Sequence, residues 1–311
     1  MNLSLKEINE KIRQSPAKFV EEEDKKYHDR IVTAADLISE HSAVCPIVLL
    51  SGPSGSGKTT TAKKVEEELR RRGINTYTVS MDDYFKTMNY KTAPRTATGD
   101  IDFESPELLD MELLNEHFTK LERGEEIHVP YFMFARQKRS ASRFTPVRLK
   151  ENEIIIFEGI HAFNEQITTR HPEAFKLYIC AMSNINCGGG EVFLNTWTRL
   201  VRRVVRDSKF RGADADFTLQ MWSNVLDGEK KHIYPYVPGA DIQINSSLGY
   251  EMPVLKKYAV PLFEKLPEEL ENVAEVNRVL ELLRLFDDVD DSLVADNSLI
   301  REFIGGGIYT D

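Results

Sequence analysis

Cysteine is scarce in this sequence. There are three in 311 residues, Cys45, Cys180 and Cys187, and no two form a C-x-x-C pair. An odd, widely spaced set provides neither a disulfide framework nor the ligand spacing of a structural zinc site, so reduced thiols and a cytoplasmic setting are expected. Long apolar runs are missing as well. None approaches the ~18–20 residues of a membrane span, so no membrane partner is expected. The mixed-charge opening "MNLSLKEINEKIRQ" has no apolar centre and does not read as a secretory signal. Positive charge is in deficit: the formal net charge is −10 with histidine neutral. That balance argues against broad, nonspecific nucleic-acid binding, and no nucleic-acid partner is expected. The chain shows no internal repeat and no low-complexity segment. What remains is a globular composition, 41% hydrophobic and 29% charged, in a length that suits one large domain or two ordinary ones.

Apolar spacing predicts one or two helices over residues 5–41, interrupted by Pro16 and packed on the outside of a domain. "VCPIVLL" (44–50) is a short continuous apolar run of the kind found in buried parallel strands. Further strands are expected at "TYTVSM" (76–81), "EIIIFEG" (153–159), "KLYICAM" (176–182) and "DIQINS" (241–246). Helical patterns fall between them, at 59–72, 106–123, 196–207, 215–228 and 253–264. Alternation of strand and helix predicts an α/β fold with a doubly wound parallel sheet. From about 268 to 311 a helix, "VAEVNRVLELLRLF", and the Gly-rich tail "FIGGGIYTD" read as an appendage.

The most specific local signal is "GPSGSGKTT", which follows the first apolar run and opens a helix. It matches G-x-x-x-x-G-K-[ST] at Gly52, Gly57, Lys58 and Thr59, with Ser54, Gly55, Ser56 and Thr60 completing the loop. Glycines let backbone N–H groups converge on phosphates, and the helix N-terminus adds partial positive charge. Lys58 is expected to reach the β- and γ-phosphates, and the Thr59 hydroxyl to ligate Mg²⁺. Glu158, after the apolar run of "EIIIFE", stands at a strand's C-terminal end, where ligands bind in open α/β sheets. A carboxylate there can help orient a magnesium ion.

Two acids, Asp82 and Asp83, close the second strand in "SMDDYF". Asp82 is expected to face the γ-phosphate, where a carboxylate accepts a proton from an attacking hydroxyl and helps hold the metal. "RLVRRVVRDSKFRG" places Arg199, Arg202, Arg203, Arg206 and Arg211 within thirteen residues of an acidic chain, before Gly212 and Ala213. Arginines on a closing lid stabilise charge on a transferred phosphoryl group and exclude water, and the segment is read as such a lid. A guanine-selecting N-K-x-D motif is absent, which argues against a switch GTPase. Cradle, acid and lid together point to transfer onto a small hydroxyl-bearing acceptor.

At this point the ordered motifs "GPSGSGKTT", "SMDDYF", "DFESPELLD", "PYFMFARQKR", "FEGIHAFN" and "RRVVRDSKFRG" resemble the uridine kinase and phosphoribulokinase family. Among its members the chain is similar to the kinase half of bacterial uridine kinase-like nucleoside kinases, from about residue 18 to the end. The resemblance implies a P-loop NTPase-type sheet with a helical lid and peripheral N- and C-terminal helices. It also implies an ATP- and Mg²⁺-dependent kinase domain over residues 42–267, between an N-terminal helical extension (1–41) and a C-terminal helical appendage (268–311). By motif it assigns Asp82 as base and metal-organising carboxylate, Glu158 as the second acidic metal partner, and Arg203 as an arginine shared by acceptor and phosphates. Arg206 and Arg211 match lid arginines. Acceptor contacts are implied at Asp83, Tyr84, Arg203 and Glu104, which stands where uridine kinases hold the ribose hydroxyls, with Asp102 as a nearby alternative. The base-reading positions carry Phe132 and Gln137 in place of the family's Tyr and His.

The function expected is therefore transfer of the γ-phosphate of ATP to the 5′-hydroxyl of a nucleoside. A sugar, sugar phosphate or other small alcohol is the alternative acceptor, and a non-catalytic nucleotide-binding regulatory module is the second alternative. The longer link "SNINCGGGEVFLN" (183–195) is expected to reshape the pocket or an oligomer interface, which leaves room for a homo-oligomer.

Overall fold

Five apolar segments form the centre of the molecule. In the computed structural model, which describes residues 3–96, 99–267, 269 and 273–309, strands β1 (Ile47–Ser51), β2 (Asn75–Ser80), β3 (Glu153–Glu158), β4 (Phe175–Cys180) and β5 (Ile242–Asn245) make one sheet. Their order is β5-β4-β1-β3-β2 and every pairing is parallel. β1 lies in the middle and all five of its residues are buried, as a strand covered on both faces requires. Val48 and Leu50 point into one core, and Ile47 and Leu49 into the other. β2 is an edge strand, and its polar sequence NTYTVS is only partly buried.

Register carries the site. Leu50 of β1, Glu158 of β3 and Ser80 of β2 stand in one row across the sheet. Just beyond that row each strand gives way to a functional segment: the glycine loop after Ser51, Gly159 after Glu158, and a 3₁₀ turn, Met81–Tyr84. The phosphate-loop helix, Lys58–Arg71, follows the glycine loop.

The two ends of the chain belong to the main core. Helices Leu5–Gln14 and Pro16–His41 meet at Ser15, which caps the second, with Pro16 in its first turn where a missing N–H costs nothing. Their Ile8, Ile12, Phe19, Tyr27 and Ile31 share one apolar cluster with Val48 and Leu50, and with Val276, Leu283, Phe286, Leu299 and Phe303 from the C-terminal region. The link at 183–195 serves that packing. It forms a hairpin, Ile185–Gly188 with Glu191–Phe193, whose first strand pairs with Leu3–Ser4.

Three elements differ from sequence expectation. The helix predicted over 106–123 starts at Met111, because Asp110 caps it and Pro106–Leu108 forms a separate 3₁₀ turn. The helix predicted over 215–228 is two, Ala215–Gln220 and Trp222–His232. A long antiparallel hairpin, Ile127–Met133 with Lys138–Val147, was not anticipated. Its turn uses Gln137 at φ 48°, a left-handed position that lacks the usual Gly or Asn signal.

Candidate active site

The glycine loop wraps a cradle at the head of the phosphate-loop helix. Its first glycine, Gly52, cannot carry a side chain: a Cβ there would lie 2.1 Å from the carbonyl oxygen of Ile179. The Lys58 ammonium lies over the loop and donates to the carbonyls of Gly52 (2.9 Å) and Pro53 (3.3 Å). The loop opens on a cavity of about 240 Å³ lined by Ser54, Gly55, Gly57, Lys58 and Thr59, by the carboxylates of Asp82, Glu104 and Glu158, and by Arg203, Arg206 and Arg211.

Three carboxyl groups in this cleft are shifted by it. Burial raises Asp82 above the ordinary aspartate range, opposed by the Lys58 ammonium and the Arg211 guanidinium. Burial lifts Glu158 to about 7; the neighbouring Asp82 adds to the rise, while Lys58 and the Ser80 hydroxyl oppose it. Glu104 also rises to about 7 through burial, with Arg203 and Lys58 pulling the other way. Carboxyl groups raised by burial in a cleft are suited to proton transfer or to a cation. The donor set Thr59, Asp82 and Glu158 is all oxygen, which fits a hard divalent cation. Among the described residues no cluster of three or more His, Cys, Asp or Glu forms a protein-only metal site. A magnesium ion would therefore be held jointly by these side chains and by nucleotide phosphates.

The arginine helix, Asn195–Phe210, carries four of the five arginines on one face, with Arg211 at its C-cap, and their partners divide them. Arg203, Arg206 and Arg211 meet on Asp207, at 3.3, 2.9 and 3.7 Å, and line the cleft. Arg199 and Arg202 share that helix face but are 1% and 0% exposed and take other partners. They are not lid residues, contrary to the sequence reading. Arg199 forms a bidentate pair with Glu229 (2.6 and 2.8 Å) and donates to the Ser54 carbonyl at 3.1 Å. Arg202 pairs with Glu251 (2.7 Å) and donates to the carbonyls of Gly55 (3.1 Å) and Ser56 (3.3 Å). Both brace the back of the glycine loop. Because Leu200, Val201, Val204 and Val205 sit in the main core, the helix is part of the body. A hinge can begin no earlier than its end, where Gly212 has φ 62°.

Several expected acceptor contacts lie elsewhere. Tyr84 is fully buried and its hydroxyl bonds to Nδ1 of His117 at 2.8 Å, so it is a core residue. Asp83 accepts the backbone N–H of Phe132 at 3.1 Å, which ties the acidic turn to the hairpin. Phe132 is 4% exposed and packs edge-on against Phe85 and Phe134. Gln137 folds back onto the Phe134 carbonyl at 3.2 Å. Asp102 accepts the Glu104 N–H at 3.1 Å and lines a separate cavity with Arg95 and Lys231. Of the loop residues, Gly52, Ser56 and Thr60 shape the cradle without lining the cavity. Sequence reasoning missed Asp207, Phe85, Phe103 and Glu302, all at the cleft or holding its arginines. Asp207 was legible as the acid within "VVRDSKF", whereas Glu302 is more than 240 residues from the loop and had no signal.

A parallel α/β sheet, a phosphate loop at the end of its central strand, and acids and arginines facing that loop define the class of P-loop nucleotide-binding proteins. Residues 47–249 match the model of the Phosphoribulokinase / Uridine kinase family, and the chain belongs to that family. It is similar to mouse "Uridine-cytidine kinase-like 1", 29% identical over 201 residues that cover 64% of this chain and 33% of that protein. It is also similar to the "Uridine kinase" of Borrelia turicatae, 28% identical over 202 residues, 64% of this chain and 85% of that one. This chain thus spans about a third of the mouse protein and most of the bacterial one. A solved structure described as "a Possible Uridine Kinase from Bacillus stearothermophilus" is 18% identical, with a TM-score of 0.42, covering 68% of this chain and 96% of that one.

Proposed function

We propose that this chain is an ATP-dependent phosphotransferase acting on a hydroxyl of a small molecule, most simply the 5′-hydroxyl of a nucleoside. The observation that carries the reading is the meeting of Lys58, Asp82, Glu158, Arg203 and Glu104 around one cavity at the mouth of the glycine loop. Asp82 accepts the proton of the attacking hydroxyl; the new bond joins that oxygen to the γ-phosphorus, and ADP leaves. Lys58 and the Asp207-held arginines stabilise charge on the transferred group. Thr59, Asp82 and Glu158, together with the phosphates, would hold a Mg²⁺ ion, which would neutralise phosphate charge.

For the acceptor, Glu104 lines the cavity together with Lys58, Phe85 and Phe103. A cavity lined by a carboxyl and aromatic rings suits a ribose diol carrying a base, and the similar curated proteins named above are called a uridine kinase and a uridine-cytidine kinase-like protein. A second reading, a sugar or other small polyol, is favoured by the burial of Phe132 and the folded-back Gln137, which leave the base end of the site with fewer specific contacts.

ATP consumption over a panel of nucleosides, 2′-deoxynucleosides and sugars tests both. Stimulation by ribonucleosides, and weak use of their deoxy analogues, is the expected outcome, since a site built around a diol rejects its absence strongly. Stimulation by sugars alone replaces the nucleoside reading and keeps the kinase. ATP binding without turnover on any acceptor leaves a nucleotide-binding regulatory module.

A further inference from the structure

The head of the phosphate-loop helix already holds an anion. The helix begins after Gly57, which has no side chain to cap it. Its first-turn N–H groups have no partner within the helix and are the donors such loops present to nucleotide phosphates. One of them, the Thr60 N–H, is directed at Oε2 of Glu302 at 3.4 Å, and the Thr60 hydroxyl donates to the same oxygen at 2.7 Å. Glu302 lines the cavity beside Lys58 and Arg206.

The segment that carries Glu302 is firmly seated. Leu299, Ile300, Phe303 and Ile304 are buried in the main core. Leu299 lies against Gly57 so closely that a Cβ on that glycine would come within 2.3 Å of its Cδ1. Ser298 bonds to Asp24 (3.1 Å) and Tyr250 (2.7 Å), and Lys209 of the arginine helix donates to the Ile304 carbonyl at 2.8 Å. The backbone around Glu302 is thus fixed, and the carboxylate alone can move by turning about its side-chain bonds.

We propose that Glu302 is a donor-site residue: an internal carboxylate that occupies a phosphate seat of the glycine loop and must swing out when a nucleoside triphosphate enters. This rests on the phosphate-loop reading above. Two anions cannot share one N–H and one hydroxyl, and their charges repel, so each phosphate that binds does so against Glu302. The same carboxylate caps the empty helix, where negative charge is favourable. Removing it therefore has opposite effects on the two states, lowering the stability of the ligand-free protein and tightening nucleotide binding. A residue that merely caps the helix gives the first effect without the second.

The test is isothermal titration of the whole chain with Mg·ATP, and separately with inorganic triphosphate, for wild type, Glu302→Gln and Glu302→Ala, together with ligand-free melting curves. Glu302→Gln keeps the size of the side chain and one acceptor while removing the charge, so it reports on the seat even if Glu302→Ala folds poorly. The expected result is binding of both ligands about tenfold tighter in Glu302→Gln, with a lower ligand-free melting temperature in Glu302→Ala. Inorganic triphosphate has no ribose or base, so its gain isolates the phosphate seat. Equal or weaker binding in Glu302→Gln overturns the proposal. Lys58→Ala serves as the control for the loop itself: if wild type binds Mg·ATP and Lys58→Ala does not, the loop reading stands whatever Glu302 does. If no variant binds either ligand, the loop reading falls and takes this proposal with it.

Discussion

Single side chains in the cleft differ in what they do, and two substitutions separate them. Asp82→Asn keeps size and hydrogen bonding but removes basicity. It is expected to lower kcat by ~10²-fold or more, the scale of a positioned proton transfer, while Mg·ATP still binds. Normal turnover would move the base to another group. Glu104 makes a prediction about pH. Burial lifts its carboxyl to about 7 from an ordinary 4.5. The folded chain therefore holds a proton there that the unfolded chain has released, and the ligand-free protein loses stability as pH rises from about 4.5 through about 7. That loss is on the order of 1–3 kcal/mol for one such group. Glu104→Gln should flatten this part of the curve in denaturant titrations between pH 5 and 8. A curve with the same slope would mean that the folded protein leaves this carboxyl at its ordinary value.

At the scale of elements, the glycine loop is held from two sides. In front it faces the cleft; behind it, Arg199–Glu229 and Arg202–Glu251 reach its carbonyls. Breaking a buried pair on one side leaves an unpaired charge, so Arg202→Met is expected to cost about 3–5 kcal/mol. Replacing both partners, Arg202→Met with Glu251→Leu, should recover much of that stability, since an apolar pair of similar volume often matches a buried ion pair. It should not recover nucleotide affinity, because the Gly55 carbonyl remains without its donor and the Ser56 carbonyl keeps only that of Ser246. Thermal unfolding and Mg·ATP titration on the same three proteins read the two effects apart. If the double variant binds Mg·ATP as wild type does, the braces serve the fold and not the loop.

For the whole molecule, the shared core decides which segments are dispensable. Leu299, Ile300, Phe303 and Ile304 are buried among residues from both ends of the chain and from the sheet. Ending the chain at Ala295 removes all four. At ~2–4 kcal/mol for each large buried side chain lost, the sum reaches the ~5–15 kcal/mol that stabilises a typical domain. The shortened chain is expected to lose its cooperative melting transition by circular dichroism. A transition at the wild-type temperature would make the tail the detachable appendage that its sequence suggests.

Much of this was legible in the residues alone, for local reasons. The strands β1, β3 and β4 announced themselves because a strand buried on both faces must be continuously apolar. The glycine loop did so because its conformation and its lysine can be satisfied by few sequences. Asp82 and Glu158 followed from where strands end. The rest depended on which side of an element faced what. Five arginines looked alike in sequence; Glu229 and Glu251, from other helices, hold two of them as buried braces, while Asp207 gathers the other three at the cleft. Phe132 and Tyr84 sit in motif positions, yet contacts from Phe85 and His117 made them interior. Glu302 reaches Thr60 across 242 residues. A motif encodes the backbone shape and chemistry of a short stretch, and so it is written locally; the direction a side chain points, and the distant group it meets, are set by how the core closes, which is decided over the whole chain at once.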